Sequence, residues 1–166
     1  MAVAGITQTS QYLSFTLGGE VFALDIGKVR EVLDYTEPTK VPQTPDFMRG
    51  VINLRGGVVP VVDLKLKFGM PRTERGINTC IIITEVELGE ERAIIGAMAD
   101  SVKEVFDLEP NQIEPAPKIG TQLNTAFLKG MGKQNDNFTL ILDIDKVFSE
   151  AELSAVADHS ETTDLN

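Results

Sequence analysis

The sequence of 166 residues is poor in the residue types on which most catalytic and redox sites depend. It contains one cysteine, one histidine and no tryptophan. A single cysteine excludes an internal disulfide, and the first eleven residues have no signal-peptide pattern, so a reducing, cytoplasmic location is expected. The one histidine, His159, lies in an acidic C-terminal stretch, which argues against histidine-based acid–base catalysis.

Long apolar runs and an excess of basic charge are also missing. No apolar segment approaches the roughly 20 residues that span a bilayer, so no membrane insertion is expected. The net charge is −10, and it is unevenly placed: residues 1–84 hold 9 Lys and Arg against 8 Asp and Glu, whereas residues 85–166 hold 6 against 17. Because nucleic-acid binding needs a basic surface that releases counterions, nucleic acid is not expected as a partner.

What the sequence does contain is an internal repeat. Residues 29–34 read Val-Arg-Glu-Val-Leu-Asp and residues 102–107 read Val-Lys-Glu-Val-Phe-Asp, 73 positions apart. Later echoes have a spacing of 80, which places an insertion of seven residues in the second copy, between Asp107 and Phe127. Two duplicated modules of roughly 70 residues are therefore predicted. The later echoes pair residues 47–50 with 127–130, residues 61–63 with 141–143, and Phe68 with Phe148.

Short strands joined by tight turns are predicted along most of the chain. The first two form a β-hairpin from Tyr12 to Leu24, in which Gly18-Gly19 supplies the turn. The proline-rich stretch at residues 37–46 predicts a crossing loop. Pro60 favours an edge or bulge position for its strand, because proline has no N–H to donate. Each half of the repeat yields about five such strands.

Five short strands in about 70 residues are typical of a small closed barrel. The predicted fold is therefore all-β, with two five-stranded barrels packed side by side, short capping helices and a C-terminal helix. A single ten-stranded sandwich and an exchange of strands between the modules are alternatives that the pattern does not separate. We expect a flexible lead-in at residues 1–11, barrel subdomains at about residues 12–76 and 77–150, and a helix end with an acidic tail at residues 151–166.

Two aspartates at equivalent positions of the repeat, Asp63 and Asp143, invite comparison with a catalytic carboxylate pair. Each follows a strand and precedes a predicted short helix, where an aspartate caps free backbone N–H groups for roughly 1 kcal/mol. The small residues that flank the catalytic acids of a duplicated acid protease are missing. We interpret both aspartates as helix caps. An enzyme with a site between the barrels, using Asp63, Asp143 or Glu31 as acid and base, is the alternative of a different class.

Other chemical motifs are weaker still. Cys80 opens the apolar run Cys-Ile-Ile-Ile, which predicts a buried structural thiol, since reactive thiolates need electropositive surroundings. No metal ligands stand at suitable spacing, and Gly56-Gly57 is not followed by the Lys-Ser or Lys-Thr of a phosphate-binding loop. Neither a cofactor nor a metal is therefore expected, and the remaining hypothesis is a binding protein.

One candidate binding residue is distinguished by its position. Arg55 lies at a predicted hairpin tip, in the run Asn53-Leu-Arg-Gly-Gly57, where a guanidinium faces solvent or a partner's carboxylate. Val29 and Val32 flank Glu31 on an extended stretch, and they fit either a core or a binding surface. The residue pattern leaves both pairs of alternatives open.

The run Gly50-Val-Ile-Asn-Leu-Arg-Gly-Gly-Val-Val-Pro-Val-Val-Asp-Leu64 resembles the signature of the chemotaxis coupling proteins, the CheW family. The run from Phe15 to Val32 and the echoes in the second half extend the resemblance over about residues 11–150. Because the chain has this one module and no kinase or receiver segment, it resembles the stand-alone adaptors. The kinase CheA carries a related module only at its regulatory end. Gly57 departs from the family, which often has a larger residue at this turn position.

The resemblance implies two SH3-like five-stranded barrels and a non-enzymatic adaptor. Proteins of this family bridge the cytoplasmic signalling tips of chemoreceptors to the regulatory domain of the histidine kinase CheA, and so build the arrays that control the kinase. The expected location is then the cytoplasm at the inner face of the membrane, reached through receptor arrays. An adaptor of the same fold that serves pili or gliding is a close alternative.

The resemblance also implies two sets of contact residues. A groove between the barrels would take the helical receptor tip, and Glu31 would lie at its rim. The kinase would bind the turn and strand edges of the first barrel. Whether Arg55 contacts the kinase or braces the adaptor stays open. The receptor-groove residues are Leu13, Ile26, Val29, Glu31, Val32 and Val102, and the kinase-contact residues are Gly50, Arg55 and Val58.

Overall fold

A computed structural model describes residues 8–88, 90–115, 125–134, 137–148 and 152. Short antiparallel strands make up most of this part of the chain, as the turn spacing predicts. The strands are β1 (Ser10–Leu17), β2 (Glu20–Asp25), β3 (Val29–Asp34), β4 (Met48–Leu54), β5 (Gly57–Asp63), β6 (Cys80–Leu88), β7 (Glu91–Ala99), β8 (Ser101–Leu108), β9 (Ile113–Glu114), β10 (Leu128–Gln134) and β11 (Asn137–Leu142). The helices are α1 (Leu64–Lys67) and α2 (Ile144–Val147), with 3₁₀ turns at Ile26–Lys28, Pro110–Gln112 and Thr125–Phe127.

The strands form two sheets that have the same internal order. One sheet has six strands, in the order β8-β1-β2-β11-β10-β9, and the other has five, in the order β3-β6-β7-β5-β4. The repeat relates the five strands of the second sheet, in that order, to the first five strands of the first sheet. Each sheet contains one parallel pair, β11 with β2 and β5 with β7. The predicted all-β fold of two SH3-like barrels is confirmed, and we call them the six-stranded and the five-stranded barrel.

The two barrels exchange hairpins between the halves of the repeat. The hairpin β1–β2 joins the sheet of the second half, and the hairpin β6–β7 joins the sheet of the first half. The register of Val61 opposite Gly96 fixes β7 on β5, and the register of Ile141 opposite Ala23 fixes β2 on β11. The expected boundary at residues 76 and 77 therefore separates the copies of the repeat but not the sheets. Exchange of strands, which the sequence left open, is present.

Irregularities of the sheets recur in both barrels. A bulge shifts the register of β4 against β5 between Met48 and Gly50, and the same shift occurs in β10 against β11 between Leu128 and Gly130. These positions stand 80 residues apart, the spacing of the later echoes. A bulge bends its strand and increases the local twist, which helps a short sheet to close. The repeat therefore specifies barrel curvature as well as strand order.

Three apolar clusters fill the fold: one inside each barrel and a larger one between the barrels. Ile81 and Ile83 point into the five-stranded barrel, whereas Ile82 points into the inter-barrel core. A strand buried on both faces reads as a continuous apolar run. Cys80 is buried beside them, and burial, with smaller contributions from Asp34 and Asp100, raises the pKa of its thiol to about 11. The predicted burial of this cysteine is confirmed.

Four phenylalanines related by the repeat meet where the two halves join. Phe47 packs on Phe148 with ring centroids 5.2 Å apart, and Phe68 packs on Phe127 at 5.7 Å. Because the repeat carries Phe47 to Phe127 and Phe68 to Phe148, each pair joins one copy to the other. Lys67 places its ammonium 5.3 Å from the Phe47 ring centroid and 5.9 Å from those of Phe127 and Phe148. We call these four rings the aromatic quartet.

Three local expectations need correction or lie outside the described residues. Ser10 and Gln11 belong to β1, so the lead-in is shorter than predicted. Pro60, predicted at an edge or bulge position, lies in a strand between β4 and β7 but before the pairing with β7 begins. Proline is tolerated there since pairing with β7 begins only at Val61. In the described part α2 ends at Val147, and the predicted continuation with its acidic tail lies outside, apart from residue 152.

Candidate functional site

Asp63 has a structural role. It is fully buried, and its carboxylate accepts hydrogen bonds from the backbone N–H of Lys65 at 3.1 Å, which caps α1 as predicted. The same carboxylate accepts from the N–H and hydroxyl of Thr73, at 2.9 and 2.7 Å, and from Arg49 at 3.0 Å. A buried carboxylate with this set of partners fixes the segment after α1 and leaves no oxygen free for a substrate.

Asp143, the residue that the repeat makes equivalent to Asp63, has different side-chain contacts. It occupies the N-cap position of α2, but its side chain makes no capping hydrogen bond, so the capping prediction is confirmed only for its position. Its carboxylate lies 3.9 Å from the ammonium of Lys146. No hydrogen bond or ion pair joins Asp143 to Asp63 in the described part of the chain. The two acids therefore do not form a shared catalytic pair there.

Metal binding and membrane insertion find no support in the described ranges. Among residues 8–88, 90–115, 125–134, 137–148 and 152, no group of three His, Cys, Asp or Glu side chains is placed to hold a metal ion. None of the helices within these ranges is long and apolar enough to cross a membrane.

The structure brings a predicted kinase-contact residue and a predicted receptor-groove residue together. Arg55 lies on the β4–β5 turn, and two of its guanidinium nitrogens donate to the two carboxylate oxygens of Glu31 on β3, with Nη2 to Oε1 at 3.0 Å. The hydrogen bonds and the opposite charge lower the pKa of Glu31 and raise that of Arg55. Because β3 and β4 are the edges of one sheet, this bidentate pair ties together the ends of the five-stranded barrel. The Arg55 side chain is still 72% exposed.

Gly50 and Val58 support the same hairpin from inside. Gly50 is buried at a φ of 141°, and a Cβ atom there would lie 2.2 Å from the carbonyl oxygen of Thr39. Thr39 and Val51 exchange two backbone hydrogen bonds, of 2.8 and 2.9 Å, so this close approach pins the crossing loop to β4. Val58 is half-buried against the inter-barrel core. These two residues thus lie behind the surface that displays Arg55.

The predicted groove residues differ widely in exposure. Leu13 belongs to the inter-barrel core and is only 5% exposed. Ile26, Val29 and Val102 are half-buried and pack against that core. Val32 is 42% exposed. The set therefore runs from a buried floor at Leu13 to an accessible apolar side chain at Val32.

A residue that the sequence analysis missed completes this surface. Val32 stands opposite Ile82 on β6, and Val105 stands opposite Leu13 on β1. Ile82 and Leu13 both point into the inter-barrel core, and cross-strand partners share a face of the sheet. Val32 and Val105, which is 49% exposed, therefore face the barrel boundary from opposite barrels. The available signal was the repeat, since the spacing of 73 carries Val32 to Val105.

The two halves of the repeat differ at the positions equivalent to Glu31 and Arg55. Glu104 is the echo of Glu31, and the hydroxyl of Ser14 donates to its backbone carbonyl at 3.0 Å. The turn position equivalent to Arg55 is Asn135, which lies outside the described residues and has no charge to pair with Glu104. Beside Glu104 the six-stranded barrel has a concavity of about 550 Å³. The Arg55–Glu31 ion pair therefore has no charged equivalent at the repeat-related positions Glu104 and Asn135.

Two barrels that share a core, with exposed valines on both sides of their boundary, define a class of protein: a β-barrel scaffold with an apolar surface suited to binding other proteins. Comparison with known proteins makes the class specific. Residues 11–152 match the family described as CheW-like domain. The chain belongs to the CheW-like family, whose members are non-enzymatic scaffolding and coupling proteins of chemotaxis.

The relatives cover nearly the whole chain. The chemotaxis protein CheW of Klebsiella aerogenes is 37% identical over 154 residues, which is 93% of this chain and 90% of that protein. The chemotaxis protein CheW of Bacillus subtilis is 31% identical over 159 residues, covering 95% and 99%. The crystal structure of the scaffolding protein TtCheW from Thermoanaerobacter tengcongensis superposes with a TM-score of 0.76 at 36% identity, covering 88% of this chain and 92% of that one. The resemblance drawn from the sequence is confirmed.

Proposed function

We propose that this protein couples the cytoplasmic tips of chemoreceptors to the histidine kinase CheA, within arrays at the inner face of the membrane. The observation that carries the proposal is the pair Val32 and Val105, exposed and facing the barrel boundary from opposite barrels. Membership of the CheW-like family supports it. A scaffold of this kind needs two binding faces of modest affinity, because many linked contacts tighten an array.

The receptor tip is proposed to bind along the barrel boundary. Val29 and Val32 supply one apolar wall, and Val102 with Val105 supplies the other. A helix whose apolar residues recur at i, i+3 and i+4 fits between such walls and buries the exposed valine surface. Glu31 marks the rim. In the same arrangement Leu13 forms the floor and Ile26 flanks it, both from the inter-barrel core.

The kinase is proposed to bind the five-stranded barrel at the β4–β5 turn. Arg55 keeps donors on an exposed guanidinium even while it holds Glu31, so a carboxylate of the kinase can share the fork. Gly50 and Val58 act here by shaping the hairpin, since Gly50 is buried and Val58 half-buried. The two proposed faces therefore meet at the Arg55–Glu31 pair.

Binding to purified receptor-tip and CheA regulatory-domain fragments tests the proposal. We expect Val32→Asp and Val105→Asp each to weaken receptor-tip binding about tenfold or more, because each places a charge in an apolar contact, and to leave kinase binding unchanged. Ile77→Asp is the matched control, since Ile77 is 98% exposed and belongs to neither β3 nor β8. If both valine variants bound the receptor tip as well as the unmodified protein does, the proposed groove would be wrong. If the unmodified protein bound neither fragment, the proposed function would be wrong.

A further inference from the structure

The concavity of about 550 Å³ in the six-stranded barrel corresponds to the place where Arg55 and Glu31 pair in the five-stranded barrel. Its lining includes Glu104, which the spacing of 73 relates to Glu31. It also includes residues 137–140 of β11, which the spacing of 80 relates to residues 57–60 of β5, directly after the Arg55 turn. The internal repeat therefore offers a template for the ligand of this concavity.

Two buried residues make the concavity polar where the five-stranded barrel is apolar. The strand registers make Ser14 the equivalent of Ile83, and the spacing of 80 makes Thr139 the equivalent of Val59. Ile83 and Val59 belong to the apolar cluster inside the five-stranded barrel. Ser14 and Thr139 line the concavity instead. The interior of the six-stranded barrel is therefore suited to a ligand with polar groups.

The backbone of Glu104 is fixed by the hydroxyl of Ser14. This hydroxyl donates to the Glu104 carbonyl at 3.0 Å and accepts from the Glu104 N–H at 3.1 Å. Both hydrogen bonds lie at the bulge where the register of β1 against β8 shifts. The Glu104 side chain is exposed, and in the part of the chain that the structure describes it has neither an ion pair nor a hydrogen bond. Glu104 therefore presents an unpaired carboxylate from a fixed backbone position.

The rest of the lining supplies an aromatic ring and a net negative charge. Phe138 lines the concavity and is 48% exposed. The charged residues of the lining are Glu20, Lys103 and Glu104, so acids outnumber bases. Among the described residues no acid lies within 4.0 Å of the Lys103 ammonium, so Lys103 pairs with neither glutamate. A planar cation that stacks on a ring and binds a carboxylate through two parallel hydrogen bonds fits this combination, and among side chains that cation is the arginine guanidinium.

We propose that this concavity binds an arginine side chain of a partner protein, whose guanidinium pairs with Glu104 as Arg55 pairs with Glu31 and stacks on Phe138. The residue that the spacing of 80 relates to Arg55 is Asn135, which has no charge to offer Glu104. The volume lies within the range of about 300–1,000 Å³ that is typical of binding pockets, so residues that flank the arginine enter with it. The lining shares no residue with the proposed receptor and kinase faces, and the proposal does not rest on them.

An amide NMR titration of the full chain with N-acetyl-arginine amide tests the proposal. We expect saturable shifts of signals from the lining, notably Ser14, Glu104 and residues 137–140, with a Kd on the order of millimolar because a single residue supplies all the contacts. N-acetyl-citrulline amide is the matched probe, since it keeps the shape of arginine without the charge and should bind at least about tenfold more weakly. N-acetyl-lysine amide, whose ammonium has no planar fork, should bind at least about threefold more weakly.

Two variants of the lining separate ion pairing from stacking. Glu104→Gln should weaken binding of the arginine probe about tenfold, because it removes the charge that the guanidinium pairs with. Phe138→Ala should weaken it about threefold, because it removes the stacking face. Glu114→Gln is the matched control and should bind the probe as the unmodified chain does, since Glu114 is exposed on β9 of the same barrel and does not line the concavity. Unshifted signals of the five-stranded barrel report that each variant is folded.

The proposal is wrong if no saturable shift appears at probe concentrations about tenfold above the expected Kd. It is also wrong if the citrulline or lysine probe binds as tightly as the arginine probe, or if Glu104→Gln binds the arginine probe undiminished. Tighter binding of free arginine than of the blocked residue would make the ligand a small molecule and overturn the assignment to a partner protein. The titration contains no receptor or kinase fragment, so a failure here is distinct from a failure of the proposed adaptor function.

Discussion

At the scale of single residues, the Arg55–Glu31 pair changes how the two predicted contact sets are understood. Sequence reasoning assigned Glu31 to the receptor groove and Arg55 to the kinase face, but the side chains bind each other. The pair lowers the pKa of Glu31 below 4.5, its ordinary value. Its contribution to stability is therefore present above that value and is lost as the pH falls through the folded-state pKa. A substitution at either residue changes the surroundings of both faces.

Reversal of the charge at Arg55 distinguishes a brace from a kinase contact. We expect Arg55→Glu to weaken binding of the CheA fragment about tenfold while the melting temperature changes little, because the pair is exposed. Arg92→Glu is a matched control: Arg92 is 69% exposed and pairs with Glu85 at 3.2 Å on another hairpin of the same barrel. In the exchange variant Arg55→Glu with Glu31→Arg, the ion pair re-forms but kinase binding should stay weak. Full recovery of kinase binding would show that Arg55 only braces.

At the scale of elements, the local structure of hairpins and helix caps was largely predictable from the sequence, but the sheet that each hairpin joins was not. The β1–β2 hairpin and the cap of α1 follow from turn and capping chemistry encoded within a few residues. The exchange of hairpins does not, because the two copies have similar alternation of apolar and polar residues and each hairpin fits either sheet. The contacts of Asp63 with Arg49 and Thr73 were missed for a related reason. The contact with Thr73 joins an irregular segment to a strand, and the contact with Arg49 crosses from β4 to the end of β5; no periodic pattern marks either contact.

The two equivalent caps permit a matched comparison of buried and accessible acids. We expect Asp63→Asn to lower the free energy of unfolding by about 3 kcal/mol, because it removes the charge that Arg49 pairs with in a buried site. Asp143→Asn should change it by about 0.5 kcal/mol or less, since the Asp143 side chain makes no capping hydrogen bond. Denaturant unfolding with unchanged m-values measures both. Equal losses in the two variants would contradict the assigned contacts.

At the scale of the whole molecule, exchanged hairpins and the inter-barrel core make the two barrels one folding unit. Neither half of the sequence contains a complete barrel, because each sheet takes strands from both halves. The aromatic quartet adds two ring pairs that each join one copy to the other. The spacing of Val32 and Val105, the walls of the proposed receptor groove, is consequently set by this shared interior. That rigidity suits a surface that must present Val32 and Val105 together.

A substitution in the aromatic quartet tests whether the two barrels unfold as one unit. Phe148 is only 5% exposed, so Phe148→Ala should cost about 3–5 kcal/mol of unfolding free energy. The loss should appear equally in hydrogen exchange of amides in β6 of the five-stranded barrel and β11 of the six-stranded barrel, because both open only on global unfolding. Phe138→Ala is the matched control, since Phe138 is 48% exposed and should cost much less. Protection lost in β11 but retained in β6 would mean that the barrels unfold separately, and the shared core would then not set the groove.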